Sequence, residues 1–205
     1  MPTGVALRDA RQQLFDAAER VLLRDGPSAL TSRSVTTEAG VAKGVLHRHF
    51  ADFDDFLAGL VLDRIARLDG QAAALRASAG TGTVTGNLTG VLIDLSGSVA
   101  VGIVALITFR DGLRARLRQA RPGGGVPLAS EAAAMIASYL AIERDLGRIA
   151  ADADVDILAP MLLGAVHLLF ADRDGAPPEP ETIARAVRTV IPGVAEDRRS
   201  ASDQP

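Results

Sequence analysis

TSRSVTTEAGVAKGVLHRHF, residues 31–50, is the stretch that decides the fold. It predicts two short helices joined by a tight turn at residues 39–41, with Thr31 as the N-cap of the first helix and Gly40 as the flexible turn residue. Such a helix-turn-helix places its second helix, here residues 43–49, in the major groove of DNA. The residues predicted to face outward are Lys43, Gly44, His47 and Arg48, and those predicted to face inward are Val41, Leu46 and Phe50.

Amphipathic helices are predicted on both sides of this stretch, because apolar residues recur at three- and four-residue steps. One helix covers residues 7–23 and ends at Gly26-Pro27. Another follows the capping residue Asp52 and extends to about Arg76. The later chain divides into an apolar stretch at 88–109, a basic stretch at 113–121 and a helix over 128–149, with breaks at 80–86 and 122–125.

Residues 157–170, ILAPMLLGAVHLLF, are apolar on almost every side of the helix that they predict. This is more apolar surface than the chain itself can readily bury, which indicates a subunit interface. A second apolar stripe follows Pro177-Pro178 at Ile183, Val187, Val190 and Ile191. We expect the helices near 157–170 and 181–191 to pack with their copies as the four-helix bundle of a homodimer.

The composition favours an intracellular all-α protein. The 205 residues are 48% hydrophobic, contain no cysteine and have no useful run of strand-like alternation. The N-terminus does not resemble a secretion signal, and the uncharged apolar run at residues 95–109 is shorter than the roughly 20 residues of a membrane span. We therefore expect a cytoplasmic protein without a membrane segment, with a buried core helix in that run.

Three regions are expected along the chain: a three-helix head with the helix-turn-helix at 1–52, a helical-bundle body for ligand binding and dimerisation at 53–195, and a disordered tail at 196–205. Residues 1–50 hold seven Lys/Arg and five Asp/Glu, whereas the remainder holds 15 and 20. A basic head and an acidic body suit a head that meets phosphate, although a charge of +2 is a weak field.

The residues AGVAKGVLHRHF at 39–50, followed by ADFDDFL and preceded by LTSR at 30–33, resemble the head of the tetracycline-repressor (TetR) family over about residues 8–60. The resemblance implies a homodimeric, ligand-responsive transcription regulator, usually a repressor, that reads the half-sites of a pseudopalindromic operator. Ligand in the body would change the spacing of the two heads. The resemblance also implies a set of DNA-contacting residues: Thr31, Ser32, Arg33, Ala42, Lys43, Gly44, Val45, His47, Arg48 and His49.

Within that set, Gly44, Val45 and Arg48 are expected near base edges, where arginine can donate two hydrogen bonds to guanine. Three positions depart from the family pattern. Ala42 replaces a hydroxyl residue and removes an N-cap contribution of around 1 kcal/mol, His47 stands where tyrosine is usual, and Phe53 stands where a phosphate-directed lysine is common. A ligand-binding or interaction protein with weak or lost DNA binding is therefore the alternative function.

A bundle interior offers apolar walls and a few polar groups to a small, apolar effector. The candidate pocket residues are Val99, Ile103, Phe109, Met135, Tyr139, Met161 and His167, although plain core packing is the commoner role for each. We expect no enzyme activity, cofactor or metal. The glycines at 80–86 lack the spacing of a dinucleotide loop, and His47 and His49 point about 200° apart on a helix. A helical-bundle enzyme is disfavoured because the sequence shows no catalytic constellation.

Overall fold

The computed structural model describes residues 4–96, 99–171 and 178–191, and the predicted disordered tail at 196–205 lies outside these ranges. The described residues form ten α-helices and contain no strand, which confirms the all-α prediction. The helices are α1 (Gly4–Asp25), α2 (Ser32–Glu38), α3 (Gly44–His49), α4 (Phe53–Ala77), α5 (Val84–Ser96), α6 (Ala100–Phe109), α7 (Asp111–Ala120), α8 (Ala129–Asp145), α9 (Val155–Ala171) and α10 (Pro180–Val190).

Two boundaries differ from the sequence prediction. The run at 95–109, expected to be one buried helix, is divided between α5 and α6. The helix expected over 128–149 ends at Asp145, and Gly147 follows it with a φ of +71°, a conformation that glycine adopts without strain.

The chain forms two compact units, and the first consists of residues 1–67 and 98–130. It contains α1, α2, α3, the first part of α4, α6 and α7. Leu14, Leu46 and Phe56 are fully buried in it. α6 packs on α1 at Gly102. A Cβ added at Gly102 would lie in van der Waals contact with the Leu22 side chain, at 3.6 Å.

The second unit consists of residues 68–97 and 131–205 and contains the rest of α4 with α5, α8, α9 and α10. α5 packs against both α9 and α10. Ile183, Val187 and Ile191 of the predicted second stripe are fully buried. This corrects the expectation that the stripe is free to meet a copy of the chain, because α10 needs those residues to cover α5. The boundaries at 52 and 195 remain predictions about functional regions.

A polar cluster fixes the loop between α4 and α5 to α8 within the second unit. Glu143 is fully buried, and its carboxylate accepts a hydrogen bond from the backbone N–H of Gly80 at 3.3 Å. Arg148 lies 3.2 Å from the other carboxylate oxygen and also donates to Gly82 O at 2.5 Å. Burial and the hydrogen bond with Glu143 raise the pKa of Tyr139. Glu143 Oε1 accepts the hydrogen bonds of this cluster, whereas the buried Oε2 has no hydrogen-bond partner among the described residues and is balanced by the charge of Arg148.

No single helix among the described residues is long and apolar enough to cross a membrane. α5 and α6 meet that requirement only when they are taken together across their bend.

Candidate nucleic-acid interface

α2 begins at the N-cap that the sequence predicts. Thr31 Oγ1 accepts a hydrogen bond from the N–H of Ser34 at 3.1 Å, and Ser34 Oγ accepts one from the N–H of Thr31 at 2.9 Å. This reciprocal capping box satisfies backbone donors that the helix itself leaves unpaired. Val35 and Thr36 face the core, whereas Thr31 and Arg33 are exposed.

The turn after α2 is closed by its own backbone and by α1. Gly40 has a φ of +67°, which a residue with a side chain adopts only with strain. Its N–H donates to Thr37 O at 3.1 Å, and the Val41 N–H donates to Thr36 O at 3.0 Å. From α1, Gln13 Nε2 donates to Ala39 O at 3.0 Å. The angle between α2 and α3 is therefore held from both sides of the turn.

α3 has the exposed and buried faces that the sequence predicts for a recognition helix. Leu46 and Phe50 are buried, and Val41 is half-buried. The exposed residues are Lys43, Gly44, His47 and Arg48. Two more residues of the predicted DNA-contacting set, Val45 and His49, are half-buried at the edges of this face. Hydrogen-bond donors thus project from one side of a helix whose other side is anchored in the core.

The C-terminal end of α3 is held by α1. Arg11 Nη1 donates to His49 O at 3.4 Å, and the Arg11 guanidinium carbon lies 4.3 Å from the centre of the Phe50 ring. Cationic hydrogen bonding at the last carbonyls is favourable for the helix dipole. Arg11 and Gln13 were not predicted as site residues, and their position beside the apolar stripe of the first helix is the only sequence signal that could have identified them.

α1 and α2 are also connected by ion pairs on the surface. Arg20 Nε lies 2.7 Å from Glu38 Oε1, and Arg24 Nη1 lies 2.9 Å from Glu38 Oε2. Hydrogen bonds from Arg20 and Arg24 lower the pKa of Glu38. Exposed pairs of this kind contribute little stability, so their main effect is on orientation.

Four phenylalanines form the core beneath α3. The Phe15 and Phe50 ring centres are 5.7 Å apart, and Phe50 meets Phe56 edge-on at 5.1 Å. Phe53, at the position where the TetR family often has lysine, stacks on Phe56 at 5.5 Å. The residue that departs from the family pattern is therefore used in packing.

The predicted DNA-contacting set lies together on α2, the turn and α3. Thr31, Arg33 and Ala42 are exposed like the outward face of α3, and Ser32 is half-buried. The Ser32 hydroxyl oxygen is buried and has no hydrogen-bond partner among the described residues. Among the described side chains, no three potential metal ligands cluster, either here or elsewhere.

The predicted pocket residues belong to both compact units. Val99 and Ile103 are buried in the first unit, and Met135 and Tyr139 are buried in the second. The Tyr139 hydroxyl accepts a hydrogen bond from Asn87 Nδ2 at 3.0 Å. The side chains of the remaining candidates are exposed and not part of the packed core, and their role in a pocket stays a prediction: Phe109, Met161 and His167. Helical periodicity did not identify which side of α6 or α9 faces inward.

A family model described as "Bacterial regulatory proteins, tetR family" matches residues 14–60, which contain the whole helix-turn-helix. Comparison with curated proteins gives no match.

Solved structures of similar fold cover nearly the entire chain. The reduced form of NemR from E. coli superposes with a TM-score of 0.69 at 18% identity, over 92% of this chain and 100% of that one. FadR from Bacillus subtilis, in complex with stearoyl-CoA, gives 0.63 at 16% identity over 90% and 99%. A TetR-family member from Streptomyces coelicolor A3 gives 0.60 at 24% identity over 90% and 99%. At these identities the likeness is one of fold.

Proposed function

Because the chain belongs to the tetR family of bacterial regulatory proteins, we propose that it is a cytoplasmic transcription regulator that binds a pseudopalindromic operator as a homodimer. It acts as a repressor, and a small, apolar effector releases it from DNA. The predicted DNA-contacting residues retain their roles in this proposal. It has no catalytic role in this proposal.

The exposed face of α3 is the observation that carries the proposal. Lys43, His47 and Arg48 project from a helix whose opposite side is anchored by Leu46 and Phe50. Arginine can recognise guanine by two hydrogen bonds, and lysine can neutralise a backbone phosphate. α1 donates hydrogen bonds to the turn and to the C-terminal end of the motif, so these donors are presented on a rigid support.

A second exposed surface supports the homodimer. Ile157, Met161 and Leu168 on α9 are each more than half exposed, although all three are large and apolar. With Gly164 they recur at steps of three, four and seven residues along one side of the helix. Val155, Ala159, Leu162 and Val166, on the other side, are buried in the unit. We propose that a second copy covers the exposed side, which we call the α9 face.

The proposed effector is apolar because the buried candidates are mainly aliphatic. Within the second unit, the buried Met135 and Tyr139 remain as candidate contacts. FadR from Bacillus subtilis, whose structure has this fold, is in complex with stearoyl-CoA. The stearoyl chain is apolar although its coenzyme A group is charged, so compounds with a long acyl chain are the first class to test. Effector binding would lower the affinity for operator DNA, since the effector favours a different state of the protein.

Selection of bound fragments from the source genome tests the proposal. The purified full-length protein is incubated with genomic fragments at two salt concentrations, because neutralisation of phosphates makes the affinity fall with salt. Recovery of a pseudopalindromic sequence is the expected result, and a stearoyl-CoA titration of the recovered duplex then tests release. Recovery of sequence-independent DNA alone, or of none, would contradict the proposal.

The second candidate function is a ligand-binding or interaction protein with little affinity for DNA. Neither Lys43, the N-cap residue of α3, nor Ala42 before it provides a side-chain cap, and Phe53 is engaged in packing where a lysine would be available for phosphate. The genomic selection separates the two functions, because this candidate predicts no enriched sequence while it retains effector binding.

A further inference from the structure

The first turn of α4 carries three carboxylates immediately after the recognition helix: Asp52, Asp54 and Asp55. Asp52 Oδ1 accepts a hydrogen bond from the Asp55 N–H at 2.9 Å, and Asp55 Oδ2 accepts one from the Ala51 N–H at 3.0 Å. Carboxylates are favourable at a helix N-terminus. Beside a surface proposed to meet phosphates, however, three negative charges oppose binding.

Two arginines from the α6–α7 segment of the same unit neutralise this turn. Arg110 directs Nε and Nη2 to Asp54 Oδ1 at 3.1 and 2.6 Å, and its guanidinium carbon lies 5.6 Å from the Phe53 ring centre. Arg116 bonds Asp52 Oδ2 through Nη2 and places Nη1 3.9 Å from Asp55 Oδ1. The two arginines reduce the formal charge of the turn from three negative charges to one.

Gly112 provides a separate indication that this contact is close. A Cβ at Gly112 would overlap Asp54 Oδ2, so one of the two groups would have to shift. The start of α7 therefore approaches Asp54 so closely that a side chain larger than hydrogen would displace the carboxylate. The compact unit that contains the helix-turn-helix also includes residues 98–130, consistent with this contact.

We propose that Arg110 and Arg116 are positioning residues of the DNA-binding unit, which neutralise the first turn of α4 and so raise the affinity for DNA without contacting it. The inference depends on the proposed DNA binding. The alternative for these pairs is ordinary surface ion pairing, which contributes little to stability and would leave DNA affinity unchanged.

The test measures the affinity of the full-length protein for fluorescein-labelled duplexes by anisotropy, using a recovered genomic fragment and a scrambled sequence. Arg116→Gln is expected to weaken binding to both duplexes by roughly three- to tenfold, and more at low salt than at high salt. Arg116→Lys is expected to retain most of the affinity because it keeps the charge. Gly112→Ala should weaken binding in the same direction as Arg116→Gln, because it displaces Asp54 from Arg110.

Asp52→Asn distinguishes two roles of Arg116: neutralising the charge of Asp52, or only connecting α7 to the start of α4. Asparagine still caps the helix, so removal of this negative charge should strengthen DNA binding, and Arg116→Gln combined with Asp52→Asn should return to near the wild-type affinity. If Arg116 acts only as a structural link, Asp52→Asn weakens binding as Arg116→Gln does, and the inference is wrong.

Arg118→Gln is the matched control, because Arg118 is exposed on α7 and points about 200° away from Arg116. It should weaken binding much less than Arg116→Gln, and an equal loss would overturn the inference. Wild-type protein that binds neither duplex would overturn both the inference and the proposed function. Wild-type protein that binds DNA while Arg116→Gln binds equally well would overturn the inference alone.

Discussion

Two exposed surfaces of this protein differ in chemistry. The outward face of α3 presents Lys43, His47 and Arg48, whereas the α9 face presents Ile157, Met161 and Leu168. A surface of donors and cations remains well hydrated until phosphate or a base edge replaces its water. A stripe of large apolar side chains is unfavourable in water and favours a matching apolar surface. Exposure therefore indicates a partner in both regions, and side-chain chemistry indicates which kind.

The largest expected effect is loss of the dimer on charging the α9 face. Met161→Glu combined with Leu168→Glu places two carboxylates on each copy in the proposed interface, where they would be desolvated and close to like charges. We expect the dimer dissociation constant to rise by more than about a hundredfold, measured by analytical ultracentrifugation. Leu23→Glu is the control, because Leu23 is equally exposed but lies on α1. A dimer that survives the double change would place the interface elsewhere.

The next effect is loss of sequence preference on the α3 face. Arg48→Ala removes the side chain proposed to recognise guanine, so discrimination between operator and scrambled duplex should fall by about 1–3 kcal/mol. Competition binding with the two duplexes measures this difference directly. Arg76→Ala removes the same charge from an exposed position on α4 in the second unit and should leave the ratio unchanged. If Arg48→Ala and wild type discriminate equally between the two duplexes, Arg48 does not contribute to sequence recognition.

A smaller effect, on the stability of the fold, is expected from adding a side-chain cap at the start of α3. No side chain caps this helix, and Ala42 supplies only its carbonyl oxygen to the Val45 N–H, at 2.9 Å. Ala42→Thr would add a hydroxyl near the unpaired donors and stabilise the fold by about 0.5–1 kcal/mol, with a modest gain in DNA affinity. Ala42→Val has the same shape without the hydroxyl. Thermal unfolding should therefore rank threonine above valine, and equal midpoints would mean that the cap does not form.

The sequence predicted the helix-turn-helix closely because its determinants are local. Thr31, Gly40 and Asp52 act on backbone groups within a few residues of themselves, so their roles can be read from spacing. The faces of α3 followed from the alternation of apolar and polar residues. The sequence also predicted that the α9 region is too apolar to be buried by the chain alone, and large apolar side chains on one side of α9 are exposed.

The pocket candidates and the supporting residues could not be predicted as well, because they depend on contacts between distant segments. Phe109 is apolar and lies in an apolar run, yet it is 86% exposed. Arg110 and Arg116 meet residues more than 50 positions earlier in the sequence. Neither the composition nor the periodicity of α7 indicates that it packs beside the start of α4. Such pairings are determined by tertiary packing, which a single sequence leaves open.

The smallest expected effect lies behind the α3 face, between α1 and α4. Glu19 Oε1 is buried and has no hydrogen-bond partner among the described residues, and Glu19 Oε2 is 3.7 Å from Arg67. Burial raises the pKa of Glu19, with Arg67 opposing that shift. The folded state therefore holds the proton more tightly than the unfolded state, so this carboxyl destabilises the fold at neutral pH and ceases to do so as the pH falls.

Glu19→Gln should raise the midpoint of thermal unfolding at neutral pH by about 1–2 °C, and the difference should vanish near a pH of about 4. Glu38→Gln is the control, because it should change the midpoint of thermal unfolding in the opposite direction. The pKa of Glu38 is lowered by its hydrogen bonds to Arg20 and Arg24, so its ionised form stabilises the fold above its usual pKa and loses that effect in acid. Glu38→Gln should therefore lower the midpoint at neutral pH and match wild type at low pH. A Glu19→Gln midpoint below that of wild type at neutral pH would mean that attraction to Arg67 outweighs burial.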